Sequence, residues 1–348
     1  MTELRIEHWD DARFMDAARA WGHPVPIEQA PAWDAFDQAV EGRSPWRRLA
    51  VLDGTSDSAD AVVALIALSE FEGRGFTYLW AKHGPMWPSR PDADAEAAVR
   101  AAVVDYVRRE APSVAFVRMH AWHRAADLRE LLQTVTYDTT VVIDLTRSED
   151  DILASFTKRG RYKTRKVLKD EHMTVTDESG MSHQEFAELY EIYRETAERD
   201  GFGIFPMDVY TTMIDSLGTH ARVFVARRHD TGPEGDLTPG RAVSWVIALV
   251  HDGGGVDFYA GGNREARDTN AAIALKWHIF TTLKAEGVTR YDLMGVGSDR
   301  APQLAGVGEF KHQFGDDVEI DGAWDVPVKA FRYRMLVLAL RLKRLLRR

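Results

Sequence analysis

From residue 140 to residue 294 the chain alternates short β-branched runs with capped amphipathic stretches, and this order constrains the fold more than any other feature. TVVIDL at 140–145 has strand composition, because branched side chains suit a pleated surface. Ser148-Glu149-Asp150-Asp151 has the spacing of a helix N-terminus, where a hydroxyl accepts from the amide three residues on. The helix it opens carries KRGRYKTRKVLK at 158–169, seven basic residues in twelve. Ser182 and Glu185 form a second capping pair, and Phe186, Leu189, Tyr190 and Tyr193 recur at helical spacing up to Gly201. Strands follow at 221–227, 242–250 and 256–260, the first two joined by a polar loop over 229–240. A helix over 270–286 stops at Gly287, and a strand over 288–294 completes the unit. The order is strand, helices, three strands, helix, strand, which predicts an α/β (α+β) fold.

The first part of the chain reads as a looser version of the same unit. It has a short helix over 32–40 around Trp33 and Phe36, and strands at 48–52 and 62–68 separated by the turn-rich DGTSDSAD. A strand at 76–80 ends before Gly84-Pro85, and a helix over 92–110 has acids early and arginines late, as the helix dipole favours. A strand at 114–119 follows. At 348 residues the chain exceeds one ordinary core, so two domains are expected.

Charge and composition narrow the function classes. No run approaches eighteen apolar residues, and the N-terminus MTELRIEHWD lacks a basic region before an apolar one. A cytoplasmic protein without a secretion signal is therefore expected. Cysteine is absent, which excludes disulfides, thiolate nucleophiles and cysteine-ligated zinc. His120 and His123 are a close histidine pair with no obvious third ligand. The net charge of −10 argues against a general nucleic-acid coat, yet basic residues concentrate at 158–169 and in the tail, where residues 327–348 hold eight and no acid. Such local patches predict a defined anionic ligand. The tail is helical by pattern, with Met335, Leu336, Leu338, Leu342, Leu345 and Leu346 against a basic face. It reads either as a packed C-terminal helix with solvated charges or as a contact with anionic lipid headgroups.

The candidate site follows the last strand. Gly295, Gly297, Gly306 and Gly308 predict a glycine-rich loop that comes close to something bulky, and Phe310-Lys311 and Phe314-Gly315 follow it. A lysine between aromatics at such an exit suits charge stabilisation; the alternative is a surface loop with a solvated lysine. No Walker A, GxSxG, HExxH or GxGxxG motif is present. After Tyr259-Ala260 the chain reads GGNREARDTNAA, without the Arg/Gln-x-x-Gly-x-Gly/Ala spacing of a coenzyme A pyrophosphate loop. The strand order is that of an acetyltransferase without its coenzyme A grip.

VVIDL followed by RGRYKTRKVLKD, then ETAERDGFG, FYAGGN, YDLMGV and GVGEFKHQFG, resembles in motif order the FemABX aminoacyltransferases; EQAPAWDAF and YLWAKHGPM add weaker echoes. The resemblance implies two GNAT-like domains in tandem. The first takes residues 1–138 plus 323–348, with the C-terminal helix returning to it; the second takes 139–322 and carries the transfer site. It has no coiled-coil arm, since 270–287 leaves no room for one. The implied activity moves an amino acid from aminoacyl-tRNA to an amine of a peptidoglycan precursor, lipid II or UDP-MurNAc-pentapeptide. Aminoacyl-tRNA is the co-substrate and no cofactor is implied. The protein would work in the cytoplasm, with peripheral contact to the inner face of the cell membrane through its basic tail. Carried over by motif, Phe310 and Lys311 stand at the reacting ester and Arg199 contacts acceptor phosphates. Arg161 and Arg165 share a helix face for the tRNA acceptor stem or a lipid surface. Tyr259 and Asp292 lie at strand ends beside the channel, and Gly306 and Gly308 let the loop approach the substrate. Two departures bear on the acceptor: Asp37 stands where the family often has lysine, and His120-Ala121 follows the strand ending near Met119. The alternatives are tRNA-dependent aminoacylation of a small peptide or natural product, a coenzyme A-dependent N-acyltransferase, and a membrane-associated binding module without activity.

Overall fold

The computed structural model describes residues 3–54, 61–73, 75–132, 136–232 and 236–345, so residues 55–60 of the turn expected over 53–60 and the last residues of the basic tail lie outside it. Contacts divide the chain into Met1–Asp138 with Ile320–Arg348, and Thr139–Glu319. The second unit, expected to end at 322, ends at Glu319, just before the strand that returns to the first unit.

The first unit runs β1 (Leu4–Trp9), α1 (Asp11–Arg19), α2 (Asp34–Ala39), β2 (Arg43–Asp53), β3 (Val62–Gly73), β4 (Phe76–Trp80), α3 (Ala93–Glu110) and β5 (Val114–Ala121). At its C-terminus the chain returns as β13 (Gly322–Pro327) and α11 (Ala330–Leu345). The sheet order is β1-β2-β3-β4-β5-β13. Only β4 and β5 are parallel, and α3 is the crossover between them. Asp92 caps α3 by accepting from the Ala95 amide, and Val99, Val103 and Val107 bury one face of it against the sheet. The helix expected over 32–40 starts only at Asp34, because Pro31–Trp33 forms a 3-10 turn. Three elements, β1, α1 and β13, carry little sequence signal: β1 and α1 are short with mixed polarity, and β13 sits next to a basic run.

The second unit runs β6 (Thr139–Asp144), α4 (Glu149–Ser155), α5 (Lys158–Val167), β7 (Met173–Asp177), α6 (His183–Asp200), α7 (Met207–Leu217), β8 (Ala221–Arg228), β9 (Arg241–His251) and β10 (Gly254–Gly262). It continues through α8 (Arg264–Thr269), α9 (Ala271–Ala285), β11 (Arg290–Gly295), α10 (Ala305–Lys311) and β12 (Asp317–Glu319). Its sheet order is β12-β6-β11-β10-β9-β8-β7, antiparallel throughout except between β10 and β11. The capping box at Ser182 and Glu185 forms, and Gly201 ends α6 in the left-handed conformation at φ 74°. The single helix expected after Ser148 is two. Phe156 turns into the core, edge-on to Phe314 at 5.2 Å, and Thr157 caps a new helix by accepting from Gly160. Burying that ring requires a break in the helix axis.

The glycine-rich loop is also corrected. Gly306 and Gly308 lie inside the helix α10, and neither has a positive φ. Their neighbour Gly297 is the close approach: a side chain there would meet the Ala305 backbone at 2.7 Å. The left-handed residue in this stretch is Met294, at φ 63°.

Candidate functional site

In the second unit β10 and β11 pair over three positions only, Gly254 with Arg290, Gly255 with Tyr291 and Val256 with Asp292. Beyond them β10 runs on against β9 to Gly262, and β11 runs on against β6 to Gly295. Both strands break register at that point, β10 between Asp257 and Tyr259 and β11 between Asp292 and Gly295. The central sheet therefore opens between neighbouring strands. Asp292 holds the irregularity on one side: its carboxylate accepts from Thr140 Oγ1 and from the Met294 amide at 2.7 Å, pinning the left-handed turn. Asp292 stands beside the opening, and its Oδ1 is occupied by these two structural hydrogen bonds.

Lys311 ends α10 with its side chain almost fully buried. Its Nζ donates to the carbonyls of Gly295 at 2.8 Å and Met294 at 3.1 Å, the end of the broken strand. An ammonium has three donors, so these two contacts orient the third. Burial, aided by nearby Lys276 and opposed by Asp257 and Asp292, lowers the Lys311 pKa to about 8. The lysine is close to half-charged in mildly alkaline conditions. Phe310 is a packing residue, edge-on to Phe314 at 5.3 Å. Gly308 lies against Val296 and Gly297, letting α10 seat there, whereas a side chain at Gly306 would meet open space.

Behind the opening is an ion pair that sequence reasoning missed. Lys276 of α9 donates to both carboxylate oxygens of Asp257 at 2.5 Å, and Tyr291 Oη donates to the same carboxylate at 3.1 Å. Lys276 and Asp257 are buried and Tyr291 is wholly so. Gly255 makes this possible, since a side chain there would meet the Tyr291 ring at 2.6 Å. Lys276 and Asp257 are nineteen residues apart on different elements, so no local spacing signals the pair.

The basic helix α5 is seated beside this site. A side chain at Gly160 would collide with the Gln313 carbonyl, so only glycine allows α5 to rest on the backbone two residues from Lys311. Among the described residues none of the seven basic side chains at 158–169 pairs with a carboxylate. Elsewhere in the unit Arg194, Arg222, Arg227, Arg228 and Arg241 are all paired. Arg161 turns back to the carbonyls of Ala154 and Phe156, closing the end of α4, while Arg165 is exposed. The two stand one turn apart as expected, yet only Arg165 is turned to solvent.

Arg199 is away from Lys311's contacts. Its guanidinium makes a paired contact with Asp200 at 2.8 and 2.9 Å and donates to the Gly262 carbonyl at 2.9 Å, fastening α6 to the end of β10. Tyr259 joins an aromatic group with Tyr210 at 4.9 Å and Tyr193 at 6.2 Å. Burial raises the pKa of both Tyr193 and Tyr210, keeping them neutral donors. At the end of β10, α8 runs into α9 through one left-handed residue, Asn270, and Ala271 is fully buried. A pyrophosphate loop would open at this point, and a helix occupies it instead.

In the first unit Asp37 is fully buried rather than presented to a ligand. Its carboxylate faces Lys82 Nζ at 3.9 Å, and that ammonium lies over the rings of Trp33, Phe71 and Trp80 at 4.6 to 5.2 Å. Asp37, which stands where the family often has lysine, is thus turned into the core opposite Lys82, and among the described residues neither of its carboxylate oxygens has a hydrogen-bond partner. His120 Nδ1 lies 3.0 Å from the Asp321 carbonyl and its ring sits near His83, and among the described residues no group of three could hold a metal.

The acetyltransferase (GNAT) domain family matches residues 154–312, from α4 to just past Lys311. No curated protein matches the chain in sequence. Among solved structures the chain is similar to a tandem GNAT protein from the clavulanic acid biosynthesis pathway, at TM-score 0.51 and 13% identity over 94% of this chain and 99% of that one. It is also similar to the C-terminal domain of a candidate lysylphosphatidylglycerol synthetase from Agrobacterium fabrum, at TM-score 0.53 and 13% identity over 95% and 96%. The chain is an α/β protein of two GNAT-like domains in tandem. Its architecture is shared end to end with FemX, at TM-score 0.71 and 14% identity over 96% of this chain and 100% of that one. The likeness to FemABX proteins read from motif order thus holds at the level of fold.

Proposed function

We propose that the second unit transfers an amino acid from aminoacyl-tRNA to an amine of a peptidoglycan precursor, lipid II or UDP-MurNAc-pentapeptide. The observation that carries this reading is the unneutralised basic helix α5 seated two residues from Lys311, on a GNAT fold whose pyrophosphate position is filled by α8. An acyl donor attached to a long polyanion suits that arrangement better than coenzyme A does. In the reaction the acceptor nitrogen forms a bond to the ester carbonyl carbon, and the oxygen gains charge beside Lys311. Collapse of the adduct breaks the carbon–oxygen bond to the tRNA ribose. The amine's proton reaches that leaving oxygen through substrate or solvent. The ester is already activated, so alignment and oxyanion stabilisation are what the protein supplies. The two carbonyls hold Lys311 in place before the charge develops.

The test incubates the protein with tRNA carrying labelled Gly, Ala, Ser or Thr and either precursor. Label in the precursor supports the reading, and no incorporation with any of the four sinks it. Lys311→Ala is expected to lose on the order of 10²-fold in rate with acceptor binding retained. A second reading, acyl transfer from coenzyme A, has the family match over 154–312 in its favour. Acetyl transfer from acetyl-CoA that needs no tRNA would establish it instead. Aminoacylation of a small peptide would appear as tRNA-dependent transfer that spares both precursors.

A further inference from the structure

The C-terminal helix α11 has two apolar faces, and the first unit needs only one of them. Tyr333 is buried edge-on to Phe116 at 5.5 Å, with its hydroxyl donating to the Asp325 carboxylate, and Leu336 and Val337 pack beside it. Phe331, Met335, Leu338 and Leu342 are 77%, 51%, 50% and 60% exposed. Their spacing of four, three and four makes them one stripe on the side away from Tyr333. At about 100° per residue, Arg334 lies along one border of that stripe and Arg332 along the other, and both are exposed. Basic residues on both borders of an exposed apolar stripe form the pattern of a helix lying in a lipid interface. No helix among the described residues is long and apolar enough to cross a membrane.

Charge selects the occupant. The chain carries −10 overall and residues 327–348 carry +8, which leaves −18 on the remainder. An anionic surface repels that body and attracts the tail, so contact is oriented through α11. A second copy packed stripe to stripe would instead bring two +8 tails together, since a two-fold contact sets like against like. We propose that α11 docks on a bilayer containing anionic lipids, with the Phe331-to-Leu342 stripe among the acyl chains and the bordering arginines at the phosphates. The proposal is independent of the chemistry at Lys311.

The test sediments the full chain with vesicles of phosphatidylcholine, with and without about one-third phosphatidylglycerol. Binding to the anionic vesicles is expected, at least tenfold above neutral ones and weakened by salt. Leu338→Gln with Leu342→Gln, and separately Arg332→Gln with Arg334→Gln, should each lower it about tenfold. All four positions are exposed, and an unchanged circular dichroism spectrum confirms that the fold survives. Equal partition to both vesicle types, or full binding by the stripe variant, overturns the proposal. So does a dimer in sedimentation velocity that the stripe variant abolishes, because the occupant is then a second copy.

Discussion

Lys311 is held by two backbone carbonyls, and the pair behind it is held mainly by charge. Lys276 and Asp257 are buried together, with Tyr291 supplying a further hydrogen bond to the carboxylate. Removing one partner of such a pair leaves an uncompensated buried charge. Lys276→Met is therefore expected to cost about 3–5 kcal/mol in urea unfolding. Adding Asp257→Leu should cost much less than a second full increment, and equal, additive losses would show that the two do not act as a pair. Residue identity marks Lys311 only as a candidate, since it follows phenylalanine at the end of a glycine-dense stretch, and its burial against two carbonyls belongs to the fold. Lys276 is hidden inside AIALKWHIF, where its apolar neighbours describe only a buried helix. Asp292 and Asp37 show the converse. Both are legible as charged residues, and the fold bonds Asp292 to the Met294 amide and buries Asp37 opposite Lys82.

At the scale of elements, α5 is set apart by what it lacks. Basic residues near a helix N-terminus oppose the dipole, so this helix is less stable alone than its composition allows. A bound polyanion would offset that. Arg165→Ala with Lys166→Ala should weaken tRNA binding and reduce the slope of log affinity against log salt by about 1.5–2. A filter-binding titration across salt concentrations measures this, and an unchanged slope would remove α5 from the interface. The capping residues make α4 and α6 legible from local sequence, because a cap is a hydrogen bond between near neighbours. The break between α4 and α5 is not legible in that way, since Phe156 leaves the helix to meet Phe314, which is distant in sequence.

For the whole molecule, two buried lysines couple stability to pH. Burial lowers both Lys82 and Lys311 to about 8 from 10.5. Below about pH 8 each is charged in both folded and unfolded states, and the full cost of burying the charge is present. Between about 8 and 10.5 the folded chain sheds these protons first, so the unfolded chain binds more of them and this contribution to stability rises with pH. Unfolding free energies at about pH 7 and about pH 9.5 should show a rise of about 1–3 kcal/mol from each lysine. In Lys311→Met its share of the rise should vanish; a variant with the same pH slope as the parent would contradict the assignment.

In the second unit β7, α7, α8, α10 and β12 do not follow from the amino-acid sequence, whereas the succession β6, α6, β8, β9, β10, α9 and β11, the absence of a pyrophosphate spacing, the separation of basic patches from an acidic body, and the candidacy of Lys311 do. These are properties of neighbours along the chain: periodicity, caps and composition. Where β10 and β11 part, that Lys276 meets Asp257, and that Lys82 answers Asp37 emerge only once the chain has packed. So does the seating of the basic helix on Gln313 through Gly160. Each of those is a contact between segments remote in sequence, fixed by which side chains can share one buried volume without leaving a charge unpaired.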